Sequence, residues 1–293
     1  MLITDFLDYL RLERNYSERT IVAYRADLEE FEEYLKETDA ELDFKRVHSD
    51  NVRNWMVGLM DKGRSETSVN RKLSSLRSFY RFLLMKKEVA VNPMRKVVGS
   101  KRKKPLPSFV REKDMDRLLD EIPFGEGFGG IRDRMILETF YATGMRLSEL
   151  IGLNDADVDL SAKLIKVTGK RNKQRLIPFG RELGEDLLIY IKVRNEVMPQ
   201  GAEAFFVLED GRRMYPMAVY RLVRRSLSKV VSLKKRSPHV LRHTFATSML
   251  NGHAELRAVK DLLGHESLVT TEIYTHATFE ELKKVYEQAH PRA

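Results

Sequence analysis

Residues 237–276 read S-P-H-V-L-R-H-T-F-A-T-S-M-L-N-G-H-A-E-L-R-A-V-K-D-L-L-G-H-E-S-L-V-T-T-E-I-Y-T-H. Pro238 suits the first turn of a helix, which puts His239 and Arg242 at i and i+3 on one face, with His243 close to it. Phe245, Met249 and Leu250 then point toward a core. A second helix over Leu256 to Leu263 stops at Gly264, a favoured C-terminal cap, so His265 leaves a helix end in a fixed direction. Thr270 and Thr271 suit the cap of a further short helix bearing Tyr274. The segment therefore holds cations and a phenol on separate, adjacent supports.

Upstream of it, Y-A-T-G-M-R-L-S-E-L-I-G-L at 141–153 sets Arg146 just beyond Gly144 and Glu149 one helical turn later, among apolar neighbours. The patterning predicts helices over Val110 to Ile122 and Gly130 to Thr143, and strands over Asp157 to Leu160, Leu164 to Thr168 and Arg175 to Pro178. The last two strands are joined by a basic hairpin, Gly169 to Gln174, whose Lys170 is a flexible ammonium able to reach a site as a proton donor. Helices at Arg181 to Val197 and Pro216 to Val231, with a strand at Phe205 to Leu208, complete this half.

The first hundred residues read as four helices. One covers Thr4 to Arg14; the next follows Ser17, with Ile21, Tyr24, Leu28, Phe31 and Leu35 at alternating spacings of three and four. A third begins after Ser49 and turns Val52, Trp55, Met56 and Leu59 inward. The fourth carries the stripe Val69, Leu73, Leu76, Tyr80 and Leu83, and on its other side Asn70, Arg71, Ser74, Arg77, Ser78 and Arg81 with no acid among them. That side is either a solvated face or one whose small hydroxyls and arginines approach a phosphate backbone. Between Glu88 and Glu112 the chain has no acid, and Lys101, Arg102, Lys103 and Lys104 precede Pro105 and Pro107. A basic, proline-stiffened tether fits a phosphate backbone. The expected division is a helical DNA-binding domain at 1–99, a linker at 100–107 and a catalytic domain at 108–293, the two domains closing around a duplex.

Across 293 residues, 52 Lys and Arg against 43 Asp and Glu give a net charge of +9, which favours a polyanionic partner. The absence of cysteine removes disulfides, thiolate nucleophiles and Cys-held zinc or iron–sulfur sites. Asp5 and Asp8 stand where a signal peptide needs basic and then apolar residues, and no run approaches the ~18 apolar residues of a membrane span. A cytoplasmic protein is expected, with no membrane association.

Three chemistries compete for the histidine-rich segment. His239 and His243 have the i, i+4 spacing of zinc ligands, but Val240 replaces the glutamate of a zincin and Arg242 between them would repel a divalent cation. A DNA-binding protein without catalysis explains the charge but not the tyrosine. Phosphoryl transfer with a tyrosine nucleophile uses every part. Ionising a phenol of pKa ~10 at a pH of about 7.5 costs roughly 3.4 kcal/mol. Arg146 and Arg242, each worth on the order of 1.5 to 3 kcal/mol through charged hydrogen bonds, stabilise the phosphate charge that develops. His239 is placed as base toward Tyr274, Lys170 as donor to the departing 5′ oxygen, and His265 as a further hydrogen bond to the phosphate.

R-L-S-E-L at 146–150, G-K-x-N-K-x-R at 169–175, H-V-L-R-H at 239–243, L-L-G-H at 262–265 and I-Y-T-H at 273–276 together resemble the tyrosine recombinases of the phage-integrase family, and within it the bacterial Xer-type enzymes. The resemblance runs through nearly the whole chain, including the closing H-P-R-A at 290–293. It implies an α+β, mainly helical fold: an N-terminal four-helix, SAM-like core-binding domain and a catalytic domain with a small antiparallel sheet. It further implies that Arg146, Lys170, His239, Arg242, His265 and Tyr274 are the catalytic set, with Glu149 supporting them, no metal and no cofactor. Related enzymes act on double-stranded DNA at a specific site as homo- or heterotetramers, some with a second recombinase and a septal DNA translocase. They place a C-terminal segment, here Phe279 to Ala289, in a neighbour. One departure is Arg171, where the family often has glycine. An integrase of a mobile element remains the alternative within the family.

Overall fold

The computed structural model describes residues 1–100, 108–169, 173–198, 203–264 and 276–293, with the backbone alone over 276–279. Two compact units form, Met1–Pro105 and Leu106–Ala293.

The first unit contains α1 (Leu2–Asp8, prolonged by a π turn over Tyr9–Glu13), α2 (Glu18–Thr38), α3 (Ser49–Asp61) and α4 (Glu66–Met85). Ser17 and Ser65 cap α2 and α4, their hydroxyls accepting from the Thr20 and Ser68 amides at 3.3 Å. The α4 stripe Val69, Leu73, Leu76, Tyr80 and Leu83 is buried throughout and meets Phe6, Leu28, Phe31 and Trp55 in one core.

The opposite side of α4 is divided. The acid missing from it comes from α2: Asp27 is fully buried and accepts from both terminal nitrogens of Arg71 at 2.5 and 2.7 Å, from Lys72 at 3.0 Å and from the Ser75 hydroxyl at 3.1 Å. Ser75 is thus part of the core and not of the basic face. Asn70 donates to the Ser100 carbonyl and Arg77 to the Val97 carbonyl, both at 3.0 Å, holding the chain that leads out of the unit. Ser74 bonds the Asn70 carbonyl, Ser78 is half-buried and Arg81 is exposed. Because breaking a buried ion pair strands the partner charge, Asp27→Ala is expected to destabilise this unit by about 3 kcal/mol. Thermal unfolding followed by Trp55 fluorescence measures it, and an unchanged transition would mean that the pairing contributes nothing.

The second unit runs α5 (Glu112–Asp116, followed by a π turn over Arg117–Glu121), α6 (Gly127–Thr143), α7 (Leu147–Gly152), β1 (Val158–Asp159), β2 (Leu164–Thr168), β3 (Gln174–Pro178), α8 (Arg181–Val197), α9 (Pro216–Ser228), α10 (Pro238–Asn251), α11 (Leu256–Leu263) and α12 (His276–Ala289). The three strands make an antiparallel sheet in the order β1-β2-β3, with Ile165 opposite Ile177 and Val167 opposite Arg175. Ile165 and Val167 face the core on alternate positions of β2.

Two expectations need correction. The strand at Phe205 to Leu208 is reduced to isolated bridges, Asn154 with Ala204 and Val207 with Arg213. Phe205 and Phe206 are both buried, which a half-exposed pleated strand does not allow for neighbours. Leu250 is 42% exposed, because Phe245 and Met249, four apart, define the inward line of α10 and Leu250 lies one step beyond it.

At the C-terminus, Leu282, Tyr286 and Ala289 of α12 pack with Phe245, Met249, Leu262 and Leu263 of the same chain. The tail that follows is anchored as well: His290 Nε2 meets the Tyr141 carbonyl at 3.1 Å, and buried Arg292 donates to Glu182 at 2.8 Å and to Asp120. In the single chain, then, the segment that the resemblance seats in a neighbour is seated in its own subunit. Among the described residues no helix is long and apolar enough to cross a membrane.

Candidate active site

Three elements converge on the end of α11. Gly144, at φ 58°, closes α6 in the left-handed region that glycine tolerates without a Cβ penalty. The chain turns there so that Arg146 becomes the N-cap of α7, and Glu149 reaches back to accept from the Arg146 amide at 2.7 Å. The same carboxylate accepts from Arg146 Nη1 at 2.7 Å. The i, i+3 pair is therefore anchored inside the protein, as the apolar neighbours of this turn suggest, since Glu149 is 3% exposed whereas the Arg146 side chain keeps 36% of its surface.

Arg242 comes from the second turn of α10 and is buried. Its two terminal nitrogens donate to the Gly144 carbonyl at 2.7 Å and to the Leu263 carbonyl at 2.6 Å. Burial, then the nearby Arg146 charge, pushes the Arg242 guanidinium down to about 10, so it remains cationic at neutral pH. His239, one turn earlier on the same helix, is exposed.

The carbonyls that a helix leaves unpaired at its C-terminus carry its negative end and attract cations. In α11 three consecutive ones are taken by three arginines: Leu262 by Arg175 Nε at 2.8 Å, Leu263 by Arg242 at 2.6 Å and Gly264 by Arg146 Nη2 at 2.8 Å. Gly264, at φ 62°, makes this possible, for a Cβ there would lie 3.1 to 3.2 Å from the Arg175 side chain. Arg175 also holds Glu149 through both carboxylate oxygens, at 2.8 and 2.9 Å. Among the described residues, three guanidiniums thus gather at this helix end near one carboxylate, which two of them bind, leaving a local excess of positive charge beside the open side of Arg146. The chemistry that follows is binding of an anion with trigonal or tetrahedral oxygens.

Arg146, Glu149 and Arg242 are brought together, and His239 stands on the helix of Arg242. Lys170, Arg171, His265 and Tyr274, with Lys101, Arg102, Lys103 and Lys104, lie outside the described residues. In the sequence Arg175 reads as the end of a motif and one of the basic residues of the hairpin, with no role in the site. Its signal was present, an arginine on the inner register of a strand leaving a basic hairpin. Asp27 was missed too, although a carboxylate between Tyr24 and Leu28 on an apolar stripe is the mark of a buried ion pair.

Residues 108–281 match the phage integrase family, and residues 3–87 match the phage integrase N-terminal SAM-like domain. The chain belongs to the phage integrase family. It is similar to the protein named tyrosine recombinase XerC of Chlorobaculum tepidum, at 40% identity over 99% of this chain and 94% of that one. It is likewise similar to tyrosine recombinase XerC of Listeria innocua, at 41% identity over 98% and 97%. Among solved structures it shares its fold with the XerH site-specific recombinase bound to difH substrate (TM-score 0.70, 22% identity, 95% of this chain and 83% of that one). The Tn1549 transposon integrase in complex with circular intermediate DNA is as near in fold (TM-score 0.71, 21% identity, 96% and 98%). The expected recognition, fold class and enzyme class hold: the chain is a mainly helical, site-specific tyrosine recombinase, and family membership sets aside a DNA-binding protein without catalysis.

Proposed function

We propose that this recombinase cleaves and rejoins double-stranded DNA through a 3′-phosphotyrosyl link on Tyr274 and a Holliday junction, in the resolution of chromosome dimers. The observation that carries the reading is the meeting of Arg146 and Arg242 at the end of α11, where His265 follows Gly264 in the sequence and Tyr274 stands nine residues further on. Arg146 and Arg242 bind the non-bridging oxygens of the scissile phosphate, His265 adds a hydrogen bond, His239 takes the phenol proton and Lys170 protonates the 5′ oxygen that leaves. The bond energy is retained in the ester, so religation needs neither metal nor nucleotide.

The same reading divides the chain into a DNA-binding domain at 1–99, a linker at 100–107 and a catalytic domain at 108–293. Asn70, Arg71, Ser74, Arg77, Ser78 and Arg81, with Lys101, Arg102, Lys103 and Lys104, supply backbone contacts. The enzyme acts in the cytoplasm as a tetramer on two sites, alone or with a second recombinase, and takes its cue from a septal DNA translocase. Fold likeness reaches a transposon integrase as readily as the XerH site-specific recombinase, so the DNA itself must discriminate. Sequencing DNA recovered in covalent adducts from cells is expected to return one chromosomal locus. Junctions of a mobile element would make the protein its integrase, and the absence of any covalent DNA would remove the reading.

A further inference from the structure

Arg175 touches two parts of the site at once. From β3 its guanidinium makes a two-pronged bond to Glu149 and a third bond to the Leu262 carbonyl, and its side chain is only 9% exposed. Glu149 in turn holds Arg146 by the backbone amide and by Nη1. Every bond that fixes the Glu149 carboxylate comes from these two arginines, among the described residues. A carboxylate with one mobile cation would swing with it; clamped from behind by a planar fork, it becomes a fixed acceptor for the other. The end of α11 is shaped for this clamp, since Gly264 offers no Cβ where Arg175 passes.

We propose that Arg175 is a positioning residue for strand cleavage: it fixes Glu149, and through Glu149 aims Arg146 at the scissile phosphate, while tying β3 to the end of α11. The inference rests on the proposed role of Arg146. The groups facing Glu149 are Arg146 from the α7 cap, Arg175 from β3 and, at longer range, Arg242 from α10. Burial by itself would raise the Glu149 carboxyl; hydrogen bonding and charge from Arg175, then the bonds from Arg146, bring it down to about 2. With Arg175 gone, the largest of the lowering influences goes too, and Glu149 takes up a proton at higher pH.

The test is single-turnover adduct formation on a nicked duplex carrying the cellular site, from pH 5 to 9, alongside DNA affinity and thermal unfolding. Misplacing a catalytic group by about 1 Å costs roughly 100-fold, so Arg175→Gln is expected to slow cleavage by about that factor with DNA affinity within about twofold. Its rate should fall further as pH drops, and adding Glu149→Gln should abolish that acid limb. Arg175→Lys, which keeps the charge but not the fork, should restore the wild-type pH profile and leave a deficit of about tenfold, since the two-pronged geometry is lost. A rate loss that follows only the loss of folded protein, with an unaltered profile in both variants, would overturn the proposal. So would weakened DNA binding with an unchanged cleavage rate. If Arg146→Ala cleaves as fast as wild type, the proposed role of Arg146 fails first and takes this inference with it.

Discussion

Arg242→Ala is expected to lower single-turnover cleavage by roughly 10²- to 10³-fold, the cost of removing one preorganised donor from a site of developing charge. Two of its N–H groups are already committed to the Gly144 and Leu263 carbonyls, so the guanidinium is held before substrate arrives. It therefore spends no reorganisation when charge builds on the phosphate. The substitution also strands two buried carbonyls, so stability should fall by about 1 to 3 kcal/mol. Rates are accordingly compared at a temperature where both proteins are folded. Arg242→Lys is the sharper probe: one ammonium cannot span two carbonyls and a phosphate oxygen, and most of the rate loss should persist although the charge is kept. Full activity in the lysine variant would mean that charge alone matters and that the geometry of the fork does not.

Tyr274→Phe is expected to have the larger effect, because it removes the proposed nucleophile and not a stabilising contact. Covalent adduct is expected to vanish while DNA binding stays within about twofold, the phenol hydroxyl being a small part of a charge-dominated interface. Retention of binding separates this outcome from misfolding. Adduct formed by the phenylalanine variant would move the nucleophile elsewhere.

The sequence makes some levels of this molecule readable and hides others. Helical periodicity located α2 and α4 because their apolar residues recur at three and four, and those residues are the core. Gly144 and Gly264 marked their helix ends correctly, since glycine closes a helix at positive φ without a Cβ penalty. Arg146 and Arg242 were legible from their motifs, and Glu149 beside Arg146, but their backbone partners were not. The carbonyls of Gly144, Leu262, Leu263 and Gly264 carry no side-chain signature, so three arginines capping one helix emerge only when α7, β3 and α10 are placed around α11. The acid that pairs with the basic side of α4 was hidden for the same reason: Asp27 arrives from another helix, 44 residues away from Arg71. Local pattern reports what each element buries. It does not report which backbone or charge the fold brings against it.

The proposed mechanism esterifies Tyr274 to the 3′ phosphate of the cleaved strand, with Arg146 and Arg242 binding that phosphate. Its most direct measurement is mass spectrometry of the peptide that retains a nucleotide after wild-type protein reacts with a nicked duplex in the presence of EDTA. A nucleotide on Tyr274, linked through a 3′ phosphate, is expected; attachment to any other residue, or through a 5′ phosphate, would overturn the mechanism.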